Sequence, residues 1–539
     1  VSNAPHLVPA ADLLVRRLRD YGVRHVFGYP GGQLTPIYDA LYREPAIRHF
    51  LARDEQAAAF MADGFARATG KPGVCLAVCG PGVLNAATPL ATAFSDSIPL
   101  LLLSGQIPSS GRGVRSGYYH ENEQLQAVAP FTKSRFRADN PRTVVAVLDE
   151  VWAAVQRGRP GPVFLEVPLD VLRTEVPAEP WPSLPPLPGP VAPGQAEVET
   201  LARLIENWKR PLILAGGGVI ASGAEAALMR LAERVGAPVF HTAMGKGAFP
   251  ASHSLAAGLP WSRATSDLSN MADYFSPLFA EADGLLAVGC RFTQLVTGSW
   301  SLRLPPALAQ IDVDPEEIGR HYPVQAGVCA DARLTLEALL ATLPPQSRQP
   351  WAKPRPPREP WPLPGLHLLE PLRHLLPADG IVAADVTRLA YILMAAFPLE
   401  KPRTFLHPAG SVAMGYGIPA ALGAKAGQPE KKIVVVVGDG GFLMSGMELA
   451  TAVQEQLPVV IVLINDNSLT LIRSTQERRY QKRFIGVDLR NPDFRLFAAA
   501  FGVPYWRADA DATFAEALAA ALEKNEPALI EVRPADARP

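Results

Sequence analysis

Gly438-Asp439-Gly440-Gly441 follows directly on the apolar run 433–437, and Asn465-Asp466-Asn467 follows on a second run, 459–464. Glycines let a chain turn tightly at the carboxyl end of a strand and bring N–H groups against an anion. Open α/β sheets bind ligands at such ends. Asp439 and Asp466 are separated by about one strand–helix–strand unit. If the two strands are neighbours, both sets of oxygens reach the same edge. Two carboxylates with backbone and phosphate oxygens make the hard-oxygen shell that Mg2+ prefers, and a diphosphate balances the remaining charge. Either motif alone reads as an ordinary strand-to-helix turn, because Asp, Asn and Gly are standard turn residues. The pair at this spacing points to a metal–diphosphate clamp.

Other residues have two readings each. Glu55, after Arg53-Asp54, opens an Ala-rich helix, where a helix dipole already favours a carboxylate. Asp385-Val386-Thr387-Arg388 follows an apolar run and suits either a diphosphate contact or a helix N-cap. His120, in Gly117-Tyr-Tyr-His-Glu121, can donate, accept and relay protons near neutral pH, or can be structural. Cys75, Cys79, Cys290 and Cys329 have no second pair at metal-site spacing, so all four read as structural thiols in a reducing cytoplasm.

The elements that must position these residues fall into three blocks. Prolines crowd residues 176–193 and 344–364, which read as extended linkers. They leave domains at 1–178, 195–345 and 365–539. Each alternates short β-branched runs with helical periods, which predicts three α/β domains with doubly wound parallel sheets. Strands are expected at 74–78, 100–103 and 163–167, at 211–214, 284–288 and 309–313, and at 381–384, 433–437, 459–464 and 528–532. Helices are expected at 54–68 and from about residue 445 onward. The first and third blocks share a layout.

A chain of 539 residues with 48% hydrophobic and 19% charged residues is globular and multi-domain. A formal net charge of −1 gives no field for a polyanion, so nucleic acid is not an expected partner. The apolar runs are too short to span a membrane, and residues 1–9 carry no signal-peptide pattern. A cytoplasmic enzyme acting on small molecules is the expectation.

The paired motifs resemble those of thiamin-diphosphate enzymes. Gly28-Tyr-Pro-Gly-Gly32, Glu55, Gly80-Pro-Gly82, Asn85 and Ser104-Gly-Gln106 resemble the acetolactate synthase group over most of the first block. The resemblance implies a pyrimidine-binding domain, a Rossmann-like middle domain and a diphosphate-binding domain. It implies Mg2+ held by the side chains of Asp439 and Asp466 and the main-chain carbonyl of Ser468; the family's commonest residue at the second place is Asn. Gly438, Gly440 and Gly441 approach the diphosphate, with Asp385, Val386 and Thr387 as further contacts. Met414 corresponds to the apolar residue that bends the coenzyme, and the Val412 carbonyl to the one that holds its amino group. Tyr29, Pro30, Gly31, Gly32, Pro81 and Asn85 line the pyrimidine side, where Glu55 is the activating acid. His120 stands where acetolactate synthases carry Gln, and Asp54 where they often carry His.

The resemblance extends to a flavin-holding middle domain, with Ala215-Gly-Gly-Gly218 and the basic residues Arg159 and Arg291. Residues 259–276 depart from that pattern, which weighs against bound FAD. In the lid, residues 469–480, Thr475 replaces the Trp that selects the second keto acid, and Arg473, Arg478 and Arg479 stand nearby. The implied reaction is decarboxylation of a pyruvate-like 2-keto acid with carboligation to a second carbonyl acceptor. Alternatives are a C–C lyase, a carboxyethylarginine synthase-like enzyme, a flavin-dependent pyruvate oxidase type, or a non-catalytic relative. The family places its coenzyme between the first domain of one subunit and the third of another, which implies a homodimer or homotetramer.

Overall fold

The computed structural model describes residues 6–111, 113, 116–261, 275–354 and 368–534. Most of 259–276 and the end of the second proline-rich stretch therefore lie outside the described residues. Three six-stranded sheets carry the fold, and every pairing within them is parallel. Their central strands are continuous apolar runs such as Ile433–Gly438 and Gly284–Val288 because helices cover both faces. A two-stranded antiparallel ribbon, Leu7–Pro9 with Glu175–Pro177, closes the first domain.

In the first domain the sheet runs Arg48–Leu51, His25–Gly28, Gly73–Ala77, Leu100–Gln106, Pro162–Pro168, Ser134–Arg137. The third repeats that order with Phe405–Leu406, Ile381–Ala384, Ile433–Gly438, Val460–Ile464, Ala528–Val532, Tyr505–Ala508. In both, the first and third strands in chain order lie side by side with their connections leaving in opposite directions. That reversal opens a crevice at the strands' carboxyl ends. The loops there are 29–32 and 78–82 in the first domain, and 385–387 and 438–441 in the third. The middle sheet has the dinucleotide-binding order, with its reversal between Pro211–Ala215 and Gly284–Val288.

One helix pair joins the outer domains. Glu55–Thr69 and Gly417–Gly427 are buried along most of their lengths and cross at near backbone contact. A Cβ on Gly64 would lie 2.0 Å from the Ala420 carbonyl oxygen, and one on Gly423 only 1.8 Å from that of Met61. Only glycine permits this approach. Residues of both domains consequently share one apolar core that includes Phe60, Met61, Ile418 and Phe442. The expected start of the helix after the clamp is corrected: Asp439–Ser445 is already helical, followed by a 3-10 turn and Leu449–Gln454. Gly438 is its extended N-cap, so the glycine-rich turn is itself the first helical turn.

Candidate active site

Gly438 pairs with Ile464, so the chain leaves the two neighbouring strands at Asp439 and Asn465 side by side. Asp439 is 2% exposed; its Oδ1 accepts the Gly440 N–H at 2.8 Å. Burial pushes its carboxyl up to about 6, with the charge of Asp466 acting the same way. Asp466 is half-buried and accepts from the Ser468 N–H at 3.1 Å and the Thr470 hydroxyl at 2.5 Å. Ser468 is buried, and its hydroxyl donates to the Val487 carbonyl at 3.1 Å, which fixes the backbone after Asp466. Asn467 sits in the left-handed region at φ 54°. Among the described residues no group of three or more His, Cys, Asp or Glu is disposed to hold a metal. A cation placed between these two turns would meet two carboxylates and would have to complete its shell from backbone, water and ligand oxygens.

Beneath the clamp lies Asp385, fully buried. Its Oδ1 accepts the N–H groups of Val386 (2.7 Å) and Gly415 (3.2 Å), and its Oδ2 that of Gly417 (2.8 Å). Asp385 thus ties the turn at 415–417 to the strand end. Thr387 caps the helix Arg388–Ala396 through the Ala390 N–H. Gly415, at φ 80°, turns the chain so that Met414 reaches the clamp: its Cε lies 3.4 Å from where a Cβ on Gly440 would stand. A Cβ on Gly441 would meet Asp385 Oδ1 at 2.8 Å. Val412 is 42% exposed on the open side of this loop.

The first domain presents Glu55 at the head of its helix. Asp54 caps that helix by accepting the Ala57 N–H at 2.6 Å. Glu55 is 7% exposed, and its Oε2 accepts from Asn85 Nδ2 at 3.0 Å. A Cβ at Gly82 would fall 2.6 Å from Glu55 Oε1, so the turn after Pro81 must be bare for the carboxyl to stand there. Gly31 is equally tight: a Cβ would lie 2.4 Å from Val78. Tyr29, Pro30, Gly32, Pro81 and Asn85 all open to solvent in the single chain.

His120 flanks the same turn. It is half-buried at φ 66°, stacks on Tyr119 with ring centroids 3.8 Å apart, and packs against Gly80. Its Nδ1 is buried without a partner among the described residues. The Gly80 N–H donates to Gln124 Oε1 at 2.9 Å, and Gln124 Nε2 donates to the fully buried Glu166 at 2.9 Å. Arg137 neutralises Glu166 from the other side. Glu166 and Asn491, whose amide sits among the clamp's oxygens, were not legible as site residues.

Within the chain, Glu448 fixes the first domain to the third. This buried carboxylate accepts the Arg53 N–H at 2.9 Å and the Thr451 hydroxyl at 2.6 Å, so the residue two before Glu55 is held by the third domain. The lid helix Thr470–Arg479 has no buried residue. On it Thr475 bonds back to the Leu471 carbonyl at 3.1 Å, and Arg473 stacks over Phe484 and pairs with Asp488 at 2.7 Å.

A cavity of about 430 Å3 opens at the middle sheet's reversal, between Gly217, Gly289, Arg291 and Asp312. Arg159 is turned to Ser97 Oγ (2.8 Å), the Phe94 carbonyl (3.1 Å) and Glu317 (3.5 Å); Arg291 is turned to the Ser95 carbonyl. Of the cysteines, all read as structural, Cys75, Cys79 and Cys290 are buried and Cys329 is exposed at a strand end. Among the described residues no helix is long and apolar enough to cross a membrane.

Three family profiles match in order: the thiamine pyrophosphate enzyme N-terminal binding domain over residues 9–128, the central domain over 198–339, and the C-terminal binding domain over 385–532. A "Probable acetolactate synthase large subunit" of Methanocaldococcus jannaschii is 37% identical, over 98% of this chain and 93% of its own. A "Probable 2-ketoarginine decarboxylase" of Pseudomonas aeruginosa is 38% identical, over 98% and 94%. An X-ray structure assigned to a thiamin diphosphate-dependent enzyme from Mycobacterium smegmatis superposes with a TM-score of 0.84 at 26% identity, covering 98% of this chain and 99% of that one. The chain belongs to the thiamine pyrophosphate enzyme family and is an acetolactate synthase-like enzyme of it.

Proposed function

We propose that the chain decarboxylates a pyruvate-like 2-keto acid, with thiamin diphosphate and Mg2+, and joins the remaining fragment to a second carbonyl. The observation that carries the reading is the cradle of Glu55: a buried carboxyl, bonded to Asn85, above a turn that must be glycine. Bound thiamin diphosphate supplies a nucleophilic thiazolium carbon and an electron sink for decarboxylation. Glu55 would give and take a proton at its carboxyl beside the bound coenzyme, and Asn85 orients that carboxyl. Asp439, Asp466 and the Ser468 carbonyl would hold Mg2+ against the diphosphate, and Gly440 leaves the backbone bare for it. Met414, whose Cε lies beside Gly440, would be the apolar support for the coenzyme. His120, with an unpartnered Nδ1 beside Gly80, takes or gives a proton on the substrate. FAD is given no part, since Arg159 and Arg291 are engaged with protein oxygens.

Assembly completes the site: Tyr29, Pro81, Asn85 and Val412 are exposed, as are Leu443, Met444 and Met447, which suits a homodimer or homotetramer with the coenzyme between copies. A cytoplasmic location accompanies the reading. Thr475 in place of an aromatic wall, with the similarity to a 2-ketoarginine decarboxylase, favours a second reading in which a bulkier 2-keto acid is decarboxylated without carboligation. Holoenzyme given isotope-labelled pyruvate, alone and with carbonyl acceptors, tests both by NMR of carbon dioxide and products. Carbon dioxide without a joined product, or turnover only of larger keto acids, supports the second reading. Turnover undiminished by Glu55→Gln overturns both.

A further inference from the structure

Asn491 lies far from both motifs in sequence, yet its Nδ2 stands 2.8 Å from Asp439 Oδ2, 2.9 Å from Asn465 Oδ1 and 2.9 Å from Asn467 Oδ1. A carboxamide nitrogen has two hydrogens, so three oxygens converge on a donor that fully serves only two. At the other end of the amide, Oδ1 is buried with no partner among the described residues, an unfavourable condition for a polar atom. The reverse orientation would set a carbonyl oxygen against three oxygens, one of them charged. The amide is therefore held by the electrostatic demand of the clamp.

Its bonds link the two motifs. Asp439 belongs to the first strand end; Asn465 and Asn467 bracket Asp466 at the second. Asn465 is fastened on its far side by Nδ2 to Glu531 at 2.7 Å. Asn467, at φ 54°, has its carbonyl held by the Leu489 N–H at 2.9 Å. Asn491 is the side chain that bridges from Asp439 to this braced loop. Asp439 takes the Gly440 N–H on Oδ1 and the Asn491 amide on Oδ2, and the Asn467 backbone N–H also acts on its carboxyl, so the amide supplements a backbone link to the same loop.

We propose that Asn491 is a positioning residue that sets the span between Asp439 and Asp466, and thereby the clamp's preference for Mg2+ over a larger cation. Mg2+ demands near-ideal octahedral geometry at about 2.0–2.1 Å, whereas Ca2+ accepts irregular shells at about 2.3–2.6 Å. A clamp released from its bridge loses the first more than the second. The inference rests on the metal–diphosphate reading of the site.

The test titrates Mg2+ and Ca2+ into the full chain with thiamin diphosphate present, by calorimetry, for wild type, Asp439→Ala, Asn491→Ala and Asn491→Ser. Mg2+ affinity should fall about 10- to 100-fold in Asn491→Ala, with a smaller fall for Ca2+, so that the Mg2+/Ca2+ ratio shrinks. Asn491→Ser, which keeps one donor, should recover part of the ratio. If Asn491→Ala fails to fold, judged by its metal-free melting, the Ser variant carries the same comparison. No Mg2+ binding in wild type, or binding untouched by Asp439→Ala, removes the clamp and the inference with it. Binding lost in Asp439→Ala but an unchanged ratio in the Asn491 variants leaves the clamp standing and overturns the role of Asn491.

Discussion

Replacing Glu448 by glutamine should remove a pH-dependent weakness from the chain. The side chain is 2% exposed, and burial pushes its carboxyl from 4.5 up to about 7, against the opposing bonds from Thr451 and the Arg53 N–H. Asp54 adds to the rise and the Arg53 charge opposes it. The folded state therefore keeps a proton that the unfolded chain has released. The stabilisation from that proton is complete below about pH 4.5 and is lost as pH rises through about 7. A rise of this size corresponds to about 3 kcal/mol between the protonation states. The Glu448→Gln side chain keeps the shape and carries no charge to bury, so the variant should gain on wild type at pH 8 and not at pH 5. For a cooperative unit of several hundred residues that gain is about 4 °C in melting temperature. Scanning fluorimetry of both proteins from pH 5 to 8.5 reads it directly. A wild type–variant difference that stays constant across the range would refute the reasoning, because only ionisation of Glu448 makes it pH-dependent.

Glu55→Gln should lower kcat by about 100-fold or more while leaving coenzyme affinity, measured by calorimetry, near wild type. Gly82→Ala should push Glu55 Oε1 from its place, since the new Cβ would stand 2.6 Å away; activity should drop about 100-fold with melting little changed. Gly423→Ala should destabilise by about 3 kcal/mol or more, because its Cβ would collide with the Met61 carbonyl at 1.8 Å and neither backbone can yield; chemical denaturation checks this. Dialysis against a chelator should release thiamin diphosphate, detected in the dialysate, and Mg2+ should restore its retention.

The central strands were legible because runs such as 433–437 and 284–288 are apolar without interruption, the mark of strands buried on both faces. The edge strands were not: Arg48–Leu51 and Tyr505–Ala508 are four residues long and interrupted by charged or polar residues. The neighbouring placement of the turns at Asp439 and Asn465 was legible because both sit directly after apolar strands. Asn491 was not, because only the folded chain returns it to Asp439. Glu166 lies within a seven-residue strand whose other members are apolar or proline, and nothing local marks it as the anchor of Gln124. Gly64 and Gly423 read locally as weak points in helices; their value appears only when the two helices meet. Asp385 and Thr387 had two readings, and their hydrogen bonds in the fold are those of a turn tie and a helix cap.

The glycine-lined crossing of Glu55–Thr69 with Gly417–Gly427 changes how the chain should be counted. By sheets there are three domains, but the first and third share one large apolar core, whereas the two main clusters of the middle domain are its own and a smaller one, Leu259 and Trp261 with Met394 and Ala395, joins it to the third. Calorimetry should accordingly resolve two melting events, with the outer pair disappearing together. In that sense the middle domain is an insertion carried within a two-lobed globule whose ends close on each other. A shortened chain joining residue 178 to 368 through a flexible linker should keep the pair folded, and would show how little of its cohesion depends on what lies between.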